Sequence, residues 1–321
     1  MKAIVRDTYG PPDVLELRET DPPALVDDGL LVRVRAASIN AYDWHMLTGT
    51  PYVARIGSGL RKPKTGLLGV DFAGTVEAAG KDVDRFRPGD EVFGAKSGSF
   101  AELVCVRKAV PKPANVTFEE AASVPIAALT ALQGLRDKGQ IQAGHQVLIN
   151  GASGGVGTFA VQIAKSFGAN VTAVCSPHNV EAARSLGADQ VIDYTRDDFT
   201  RNGGRYDLML DVAGNRSWSE CKRVLNEGGT LVLVGGPKTN RWIGPLGKAF
   251  GRRAASLVGS RKVIAPFLAR ITTEDLAVMA ELLETGKVTP VIEKRYELDR
   301  VPEALAYLGQ GHARGKLVVT V

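Results

Sequence analysis

The chain has 321 residues, of which 44% are hydrophobic and 23% are charged, a composition typical of a globular protein and too apolar for intrinsic disorder. Its length predicts two domains of ordinary size. Forty basic and thirty-five acidic residues leave a net charge of +5, an excess too small and too dispersed to predict nucleic-acid binding.

The first residues and the cysteines bear on the compartment in which the protein works. The opening "MKAIVRDTYG" predicts a short strand and a turn, and it lacks the apolar core and cleavage site of a signal peptide. No uninterrupted apolar stretch is long enough to cross a bilayer. Cys105, Cys175 and Cys221 lie far apart. We therefore expect neither a disulfide framework nor a cysteine-rich zinc site, and the expected compartment is the reducing cytoplasm.

The part of the chain from Met1 to about Pro113 predicts a mostly β domain. Short β-type runs alternate there with turns, as in "LLVRVRAASI", "GVDFAGTVEAAG" and "FAELVCV". The tripeptide Pro88-Gly89-Asp90 is a strong turn signal.

From about Phe118 the pattern changes to strands alternating with helices. The predicted strands are "HQVLIN", "NVTAVC", "QVIDY", "YDLMLDVAG" and "GTLVLVGG". This alternation predicts right-handed crossovers and a parallel sheet, and hence an α/β fold. The final "GKLVVTV" is again β-like, and its periodicity does not decide whether it extends this sheet or returns to the first domain.

A glycine-rich turn follows the strand "HQVLIN". Its spacing, Ala152-x-Gly154-x-x-Gly157, fits the dinucleotide-binding fingerprint with alanine in the first position, and it opens a helix as that motif requires. Free amides at the helix start favour phosphate. The predicted pyrophosphate contacts are Ala152, Ser153, Gly154, Gly155, Val156 and Gly157.

The end of the next strand predicts which dinucleotide binds. An NAD site usually places an acid there for the ribose hydroxyls, but this chain reads "CSPHN", residues 175–179, without a carboxylate. Ser176 and Asn179 can donate hydrogen bonds to a 2′-phosphate, and His178 and Arg184 can add positive charge. The sequence therefore predicts NADPH as the cofactor.

These motifs in this order resemble the medium-chain dehydrogenase/reductase superfamily, and within it the zinc-free quinone oxidoreductase and zeta-crystallin branch, including the reticulon-4-interacting type. The resemblance implies a GroES-like domain from residues 1–119 and 290–321, a Rossmann domain from residues 120–289, and a cofactor in the cleft between them. It also implies a homodimer. By motif, it implies further cofactor contacts from Thr130, Tyr194, Val234, Gly235 and Lys316.

The zinc ligands of the metal-dependent relatives are missing. Where those relatives carry a cysteine this chain has Asn40, and where they carry Gly-His-Glu it has Gly69-Val70-Asp71. Asp71, Asp43 and His45 lack the thiolate and the second imidazole of such a site. We therefore expect no metal. Without zinc, hydride transfer suits acceptors whose product anion is delocalised, such as quinones and α,β-unsaturated carbonyls.

The resemblance places the candidate catalytic residues in "SINAYDWHMLTGTPY". Tyr42 aligns with the hydroxyl residue that passes the proton in zinc-dependent relatives, although a tyrosine packed at a domain junction is an equal alternative. Asn40 is expected to hydrogen-bond the nicotinamide or the substrate oxygen. Tyr52 is a second phenol that can reach the pocket or belong to a loop, and water is an alternative proton source. His45 is expected to be packed or solvated.

Residues 240–270 contain seven basic residues and no acid, interleaved with apolar side chains. Such a segment can lie on a membrane surface or a partner, or form a lid or subunit contact, and we favour the second interpretation. The main hypothesis is a zinc-free, NADPH-dependent oxidoreductase. The alternatives are an NADPH-binding interaction protein with little catalysis and an alcohol dehydrogenase. The natural substrate, the proton donor and the oligomeric state are left open by the sequence.

Overall fold

A computed structural model of the protein describes residues 1–235, 260–311 and 313–321. The chain forms two compact units, the first from Met1–Leu129 and Arg270–Val321 and the second from Thr130–Ala269. The predicted division placed residues 120–129 and 270–289 in the second unit instead.

The first unit is built on a seven-stranded sheet. Its path is β14-β15-β3-β4-β5-β7, with β6 also paired to β3, and a separate two-stranded sheet joins β1 to β2. The strands of this unit are β1 Lys2–Val5, β2 Glu16–Glu19, β3 Leu30–Ile39, β4 Asp71–Ala79, β5 Glu91–Ala95, β6 Leu103–Val106, β7 Ala109–Pro111, β14 Ile292–Glu297 and β15 Lys316–Thr320.

The C-terminal strand β15 joins the first unit. It pairs with β3 in antiparallel register, Leu317 opposite Ile39, and with β14 in parallel. Its first four residues are buried, so it forms an interior strand that the core covers on both faces. The return of the chain to its first domain, which the resemblance implied, is confirmed.

Six helices among the described residues accompany the first unit, and the boundary between the units falls within one of them. They are α1 Ala41–Thr48, α2 Arg55–Ser58, α3 Phe118–Ala122, α4 Pro125–Gln133, α8 Thr273–Glu284 and α9 Val301–Gly309, of which α4 contains the boundary. Helix α3 begins with Thr117, whose side chain accepts from the Glu120 amide while the Glu120 carboxylate accepts from the Thr117 amide. Helix α8 is fixed to this unit because Asn115 Nδ2 donates to the carbonyl of Leu283 at 3.0 Å.

The second unit contains a six-stranded parallel sheet. Its order is β10-β9-β8-β11-β12-β13, which is the doubly wound order of dinucleotide-binding domains. The strands are β8 Gln146–Asn150, β9 Asn170–Cys175, β10 Gln190–Asp193, β11 Tyr206–Asp211, β12 Leu225–Leu233 and β13 Lys262–Ile264, and the helices are α5 Gly155–Ser166, α6 Val180–Ser185 and α7 Trp218–Val224. The predicted α/β fold, a GroES-like domain with a Rossmann domain, is confirmed.

Two further expectations concern the chain as a whole. All three cysteines are free, as the sequence predicted. Within residues 1–235, 260–311 and 313–321, no helix has the length and apolar character needed to span a membrane. Most of the basic segment 240–270 lies outside the described residues, so its predicted role stays a prediction.

Candidate functional site

The glycine-rich turn lies between β8 and α5. The strand ends at Asn150, Gly151 adopts a left-handed conformation with φ of 90°, and Gly154 is the residue from which the helix begins. A Cβ at Gly157 would lie 2.1 Å from the Gly151 carbonyl oxygen. Gly157 is therefore required for the close contact of helix and turn, as the sequence motif predicts.

Gly154 differs from its neighbours because none of the described residues makes a contact that requires glycine there. Its φ of −80° and ψ of 173° suit any residue, and a Cβ would meet no atom closer than 3.8 Å, the Gly151 carbonyl oxygen. The first helical bond runs from Thr158 N to Gly154 O at 3.0 Å, so the amides of residues 155–157 are available as donors at the positive end of the helix dipole. This open, donor-rich turn fits a dinucleotide diphosphate.

Beside this turn lies a polar network that sequence reasoning missed. Asn150 Nδ2 donates to Asp211 Oδ1 at 2.8 Å and to Asn215 Oδ1 at 3.0 Å, and the Gly214 amide donates to Asp211 Oδ1 at 2.8 Å. Asn150 and Asp211 end β8 and β11, the neighbouring strands at which the strand order reverses. That position is where doubly wound sheets bind ligands. The sequence signal that could have identified this network is a polar residue at the C-terminal end of each of two buried strands, "HQVLIN" and "YDLMLD".

The predicted ribose contacts lie at the carboxyl ends of β9 and β10. Asn179 Nδ2 donates to Ser176 Oγ at 2.8 Å. The Tyr194 amide donates to the Cys175 carbonyl at 3.2 Å, and its side chain is 52% exposed. The structure therefore places Ser176, Asn179 and Tyr194 at one edge of the sheet.

One carboxylate at the same edge was not anticipated. Asp193 pairs with Cys175 across the two strands, and its Oδ1 accepts hydrogen bonds from the Thr195 amide at 2.9 Å and from Thr195 Oγ1 at 2.7 Å. These hydrogen bonds lower the pKa of Asp193. The carboxylate is thus held by its own loop.

The residues predicted to hold the nicotinamide follow β12. The amides of Val234 and Gly235 donate to the Asp211 carbonyl at 3.0 and 3.3 Å, and a Cβ at Gly235 would lie 2.0 Å from the Val212 carbonyl oxygen. Gly235 is therefore needed for packing. Thr130, the first residue of the second unit, lies in α4 and is half-buried.

The first unit contains a buried polar cluster formed by Ser38, Asn40, Asp43, Asp71 and Lys316, each at most 6% exposed. Lys316 Nζ donates to Asn40 Oδ1 at 2.6 Å and to the Ile39 carbonyl at 3.2 Å, and lies 3.7 Å from Asp71 Oδ2. Asp71 Oδ2 also accepts from Ser38 Oγ at 2.9 Å and from Asn40 Nδ2 at 2.8 Å. The backbone amide of Ile126 donates to Asp71 Oδ1 at 3.0 Å.

This arrangement does not fit the roles predicted for Asn40 and Lys316. The oxygen of the Asn40 carboxamide accepts from an ammonium, and its nitrogen donates to a carboxylate and, at 3.4 Å, to the Ser38 carbonyl. Both donor hydrogens are therefore used within the cluster and are not available to a nicotinamide or a substrate oxygen. The buried ammonium of Lys316 is likewise bound within the cluster rather than offered to a phosphate. Both residues instead fix the segment that precedes α1.

The cluster contains two carboxylates and one ammonium, and burial dominates their titration. Asp43 Oδ2 accepts from the Asn40 amide at 2.8 Å, while its Oδ1 has no hydrogen-bond partner in the described part of the chain. Burial, aided by the charge of Asp71, raises the pKa of Asp43 to about 7. Burial also raises the pKa of Asp71 and lowers the pKa of Lys316.

The two candidate phenols lie in the same unit as this cluster. Tyr42, in the first turn of α1, is half-buried, and burial together with the charge of Asp43 raises the pKa of its phenol, which stays protonated at neutral pH. The ring of Tyr52 lies 4.7 Å from the Arg55 guanidinium carbon. His45 Nδ1 lies 2.6 Å from the Thr50 carbonyl oxygen, so the imidazole is packed against its own loop, as expected.

The described residues include no group of three or more His, Cys, Asp or Glu side chains arranged to hold a metal. Asp71 and Asp43 are bound within the buried cluster, and His45 lies against Thr50. The ammonium of Lys316 contacts Asn40 and lies beside Asp71, which occupy the segments where the resemblance puts zinc ligands in metal-dependent relatives.

Comparisons with known proteins cover the whole chain. A family model described as the alcohol dehydrogenase GroES-like domain matches residues 26–114, and one described as a zinc-binding dehydrogenase matches residues 186–319. The mitochondrial NAD(P)H oxidoreductase RTN4IP1 of Bos taurus is 36% identical over the whole chain and 89% of its own length. The 2-methylene-furan-3-one reductase of Solanum lycopersicum is 32% identical over 99% of the chain and 79% of its own length.

Among solved structures, the quinone oxidoreductase of Escherichia coli complexed with NADPH superimposes on this chain with a TM-score of 0.84. The two sequences are 25% identical, and the alignment covers 100% of both chains. The mitochondrial name of the Bos taurus relative, and the chloroplastic names of plant relatives, correct the expectation of a cytoplasmic protein. Free cysteines indicate a reducing environment, and they do not distinguish the cytoplasm from the interior of an organelle.

Proposed function

Since this chain belongs to the quinone oxidoreductase branch of the medium-chain dehydrogenase/reductase superfamily and is an oxidoreductase, we propose that it is a zinc-independent reductase. In this proposal NADPH is the cofactor and a quinone or an α,β-unsaturated carbonyl is the acceptor. The observation that carries the cofactor proposal is that position 154 is glycine, although neither its backbone conformation nor its contacts with the described residues require one.

The second unit supplies the residues that would hold the cofactor, whose bound nicotinamide supplies a hydride. The amides of residues 155–157 at the helix start would donate to the diphosphate. The network of Asn150 and Asp211 fixes the ends of β8 and β11, and the amides of Val234 and Gly235 tie the end of β12 to the same strand. These residues hold the strand ends in one arrangement before any ligand arrives.

The preference for NADPH over NADH rests on the end of β9. Residues 175–179 carry no acid, and Ser176 and Asn179 present a hydroxyl and an amide. The nearby carboxylate of Asp193 accepts two hydrogen bonds from Thr195, which reduces its repulsion of an added phosphate. Tyr194, largely exposed at the same edge, offers a ring for stacking.

The acceptor class follows from the groups that the first unit offers. Lys316 and Asn40 bind each other, so neither provides the charge with which a zinc ion polarises a simple carbonyl. Hydride addition to a quinone or an enone gives a delocalised anion that needs only a few donors and one proton. Tyr42, which burial keeps protonated, or a water molecule supplies that proton. The names of the Solanum lycopersicum and Escherichia coli relatives match these two acceptor types.

The test is a spectrophotometric screen of cofactor oxidation with the full chain. We expect turnover with at least one quinone or enone, a KM for NADPH well below that for NADH, and no turnover with saturated ketones. Tight NADPH binding without turnover on any of these acceptors would leave an NADPH-binding protein that is not a reductase of this class. Equal use of NADH would remove the cofactor preference.

A further inference from the structure

A second surface of the first unit has an unusual combination of side chains. Residues 52–64, here named the basic loop, follow α1 and include α2. The charged residues of the loop are Arg55, Arg61, Lys62 and Lys64, and the next acid along the chain is Asp71. This loop therefore has a positive charge that no acidic residue of its own offsets.

The loop also exposes large apolar side chains. Val53, Ile56 and Leu60 are 36%, 71% and 70% exposed. A Cβ built at Gly57 would meet no atom within 4 Å, so nothing among the described residues covers this turn. Single exposed apolar residues are common on protein surfaces, whereas apolar patches rimmed by polar residues mark contact sites, and these three residues lie within eight positions beside four basic residues.

The exposure is not the result of a loosely held segment. The Gly59 amide donates to the Arg55 carbonyl and the Lys64 amide to the Ser58 carbonyl, both at 2.8 Å. Tyr9 Oη donates to the Gly59 carbonyl at 2.8 Å. The Arg55 guanidinium carbon lies 4.4 Å from the Tyr9 ring and 4.7 Å from the Tyr52 ring. The base of the loop is thus fixed while its apolar side chains face outwards.

The positive charges are free to act on a partner. Arg61, Lys62 and Lys64 form no ion pair within the residues that the structure describes. Asp7, the acid next to Arg6 near the base of the loop, is paired with Arg18 at 2.8 Å. The Arg6 amide donates to the Gly66 carbonyl at 3.0 Å, which places this neutralised pair beside the loop.

We propose that the basic loop is a peripheral docking site for an anionic phospholipid surface. The apolar side chains of Val53, Ile56 and Leu60 enter the headgroup region. The basic side chains of Arg61, Lys62 and Lys64 contact lipid phosphates, as basic residues do in other interfacial membrane segments. Three side chains bury far less than the roughly 800 Å² per partner that a stable protein interface needs. A lipid surface needs no such area, because insertion and charge act together.

The inference is independent of the proposed function, since vesicle binding requires neither cofactor nor turnover. The experiment is co-sedimentation of the full chain with phosphatidylcholine vesicles, with and without phosphatidylserine. We expect binding only to the anionic vesicles, weakened by salt. Ile56→Ser with Leu60→Ser, and separately Arg61→Glu with Lys62→Glu, should each reduce the binding constant by about tenfold or more.

Matched controls make the same chemical changes elsewhere. Leu17→Ser with Leu25→Ser removes two apolar side chains that are 41% and 40% exposed, and Lys222→Glu with Lys287→Glu reverses two exposed charges. Both controls should bind as the unaltered chain does, and circular dichroism should show all variants folded.

Three outcomes would overturn the proposal: the unaltered chain does not bind anionic vesicles, the loop variants bind as well as the controls, or the control substitutions weaken binding as much as the loop substitutions do. Size-exclusion chromatography adds a fourth, in which the unaltered chain is a dimer and the variant at Ile56 and Leu60 is a monomer with unchanged vesicle binding. The occupant of the loop would then be a second copy of the chain.

Discussion

Lys316 balances two buried carboxylates from a position at the far end of the chain. Its ammonium contacts Asn40, which lies 276 positions earlier, and it approaches Asp71 on β4. Removing one partner of a buried ion pair leaves an uncompensated charge in a medium that solvates it poorly, which is far more costly than losing an exposed pair. The single lysine therefore connects β15 to the segment that starts α1.

We expect Lys316→Met to lower the free energy of unfolding by about 3–5 kcal/mol, because the buried carboxyl group of Asp71 would lose its cation and would have to stay unpaired or take up a proton. Adding Asp71→Asn to that variant should recover part of the loss, since the unpaired charge is then removed. Urea unfolding at neutral pH measures both. Lys287→Met, at an exposed site, should change stability little, and a Lys316 effect as small as that of Lys287 would contradict the role of the cluster.

Asp43 makes stability depend on pH in a defined direction. Its pKa is raised by burial to about 7, whereas an unfolded aspartate titrates near about 3.9. Between these values the folded chain keeps a proton that the unfolded chain releases, so the contribution of this group to stability is complete below about pH 4. It is lost as the pH rises towards 7, when Asp43 becomes charged beside Asp71 with only Lys316 to offset both.

Asp43→Asn keeps an acceptor for the Asn40 amide and removes the charge. We expect the variant to match the unaltered chain near pH 4 and to exceed it by about 2–4 kcal/mol at pH 8, with the gap opening between those values. Urea unfolding at a series of pH values measures this difference. The control is Asp84→Asn at an exposed position, and a gap that stays constant with pH, or that narrows, would contradict the assignment.

Sequence reasoning found four of the five residues of this cluster but not their function. It named Asn40, Asp43 and Asp71 as candidates at the zinc-ligand or catalytic positions of relatives, named Lys316 as a phosphate contact, and missed Ser38. Their mutual contacts depend on β15 pairing with β3. No local pattern reports a distance between residues hundreds of positions apart, so only the folded chain shows that Lys316 reaches Asn40.

At the scale of secondary-structure elements, the start of α5 separates two kinds of glycine. Gly157 is needed by the fold, because a side chain there would lie against the Gly151 carbonyl. For Gly154, the backbone conformation is ordinary and no atom of the described residues lies within 3.8 Å of a Cβ built there. The sequence motif does not distinguish the two glycines, whereas the structure shows a packing role for Gly157 only, and we propose that Gly154 serves the cofactor.

We expect Gly154→Ala to fold with an unchanged melting temperature and to bind NADPH at least about tenfold more weakly. A tenfold change in Kd corresponds to a loss of only about 1.4 kcal/mol of binding free energy. Gly157→Ala should instead destabilise the apo protein by about 1–3 kcal/mol or more through overpacking. Thermal unfolding without cofactor and fluorescence titration with NADPH measure the two effects. Equal destabilisation by both substitutions would show that Gly154 serves the fold rather than the cofactor.

The elements themselves were predictable wherever a local pattern determined them. Alternating strands and helices gave the parallel sheet, and the glycine turn gave the start of α5. The pattern of "GKLVVTV" fits any buried strand, so its place in the first unit followed only from the resemblance. The domain bounds implied by the resemblance placed helix α8 in the second unit, whereas contacts such as that of Asn115 with Leu283 group it with the first.

At the scale of the whole molecule, the net charge of +5 is distributed unevenly. The basic loop and the segment 240–270 both contain basic residues without acids, whereas many other exposed cations are paired, as in Arg107 with Asp28 and Lys165 with Asp189. A small average excess therefore conceals a local positive surface at the basic loop. Composition alone predicted no partner, and the exposure of Ile56 and Leu60 identifies this loop as a candidate contact.

At this scale, the missing ligands support the proposal that the protein works without zinc. The family model described as a zinc-binding dehydrogenase matches residues 186–319, a range that excludes Asn40 and Asp71, and so the match does not bear on these two positions. Zinc sites in proteins are mostly tetrahedral, and most of their ligands are thiolates and imidazoles. This cluster instead offers an amide, two carboxylates and a competing ammonium.

We therefore expect the purified full chain to contain substoichiometric zinc by elemental analysis, and its NADPH-dependent turnover to be unchanged by phenanthroline or by added zinc. The physical reason is that Lys316 repels a divalent cation from the carboxylates that it already neutralises. A zinc-dependent alcohol dehydrogenase treated in parallel is the control, and it should lose its activity. One zinc per chain together with loss of turnover on chelation would contradict zinc independence, and it would leave the cofactor proposal for the glycine-rich turn of the second unit unaffected.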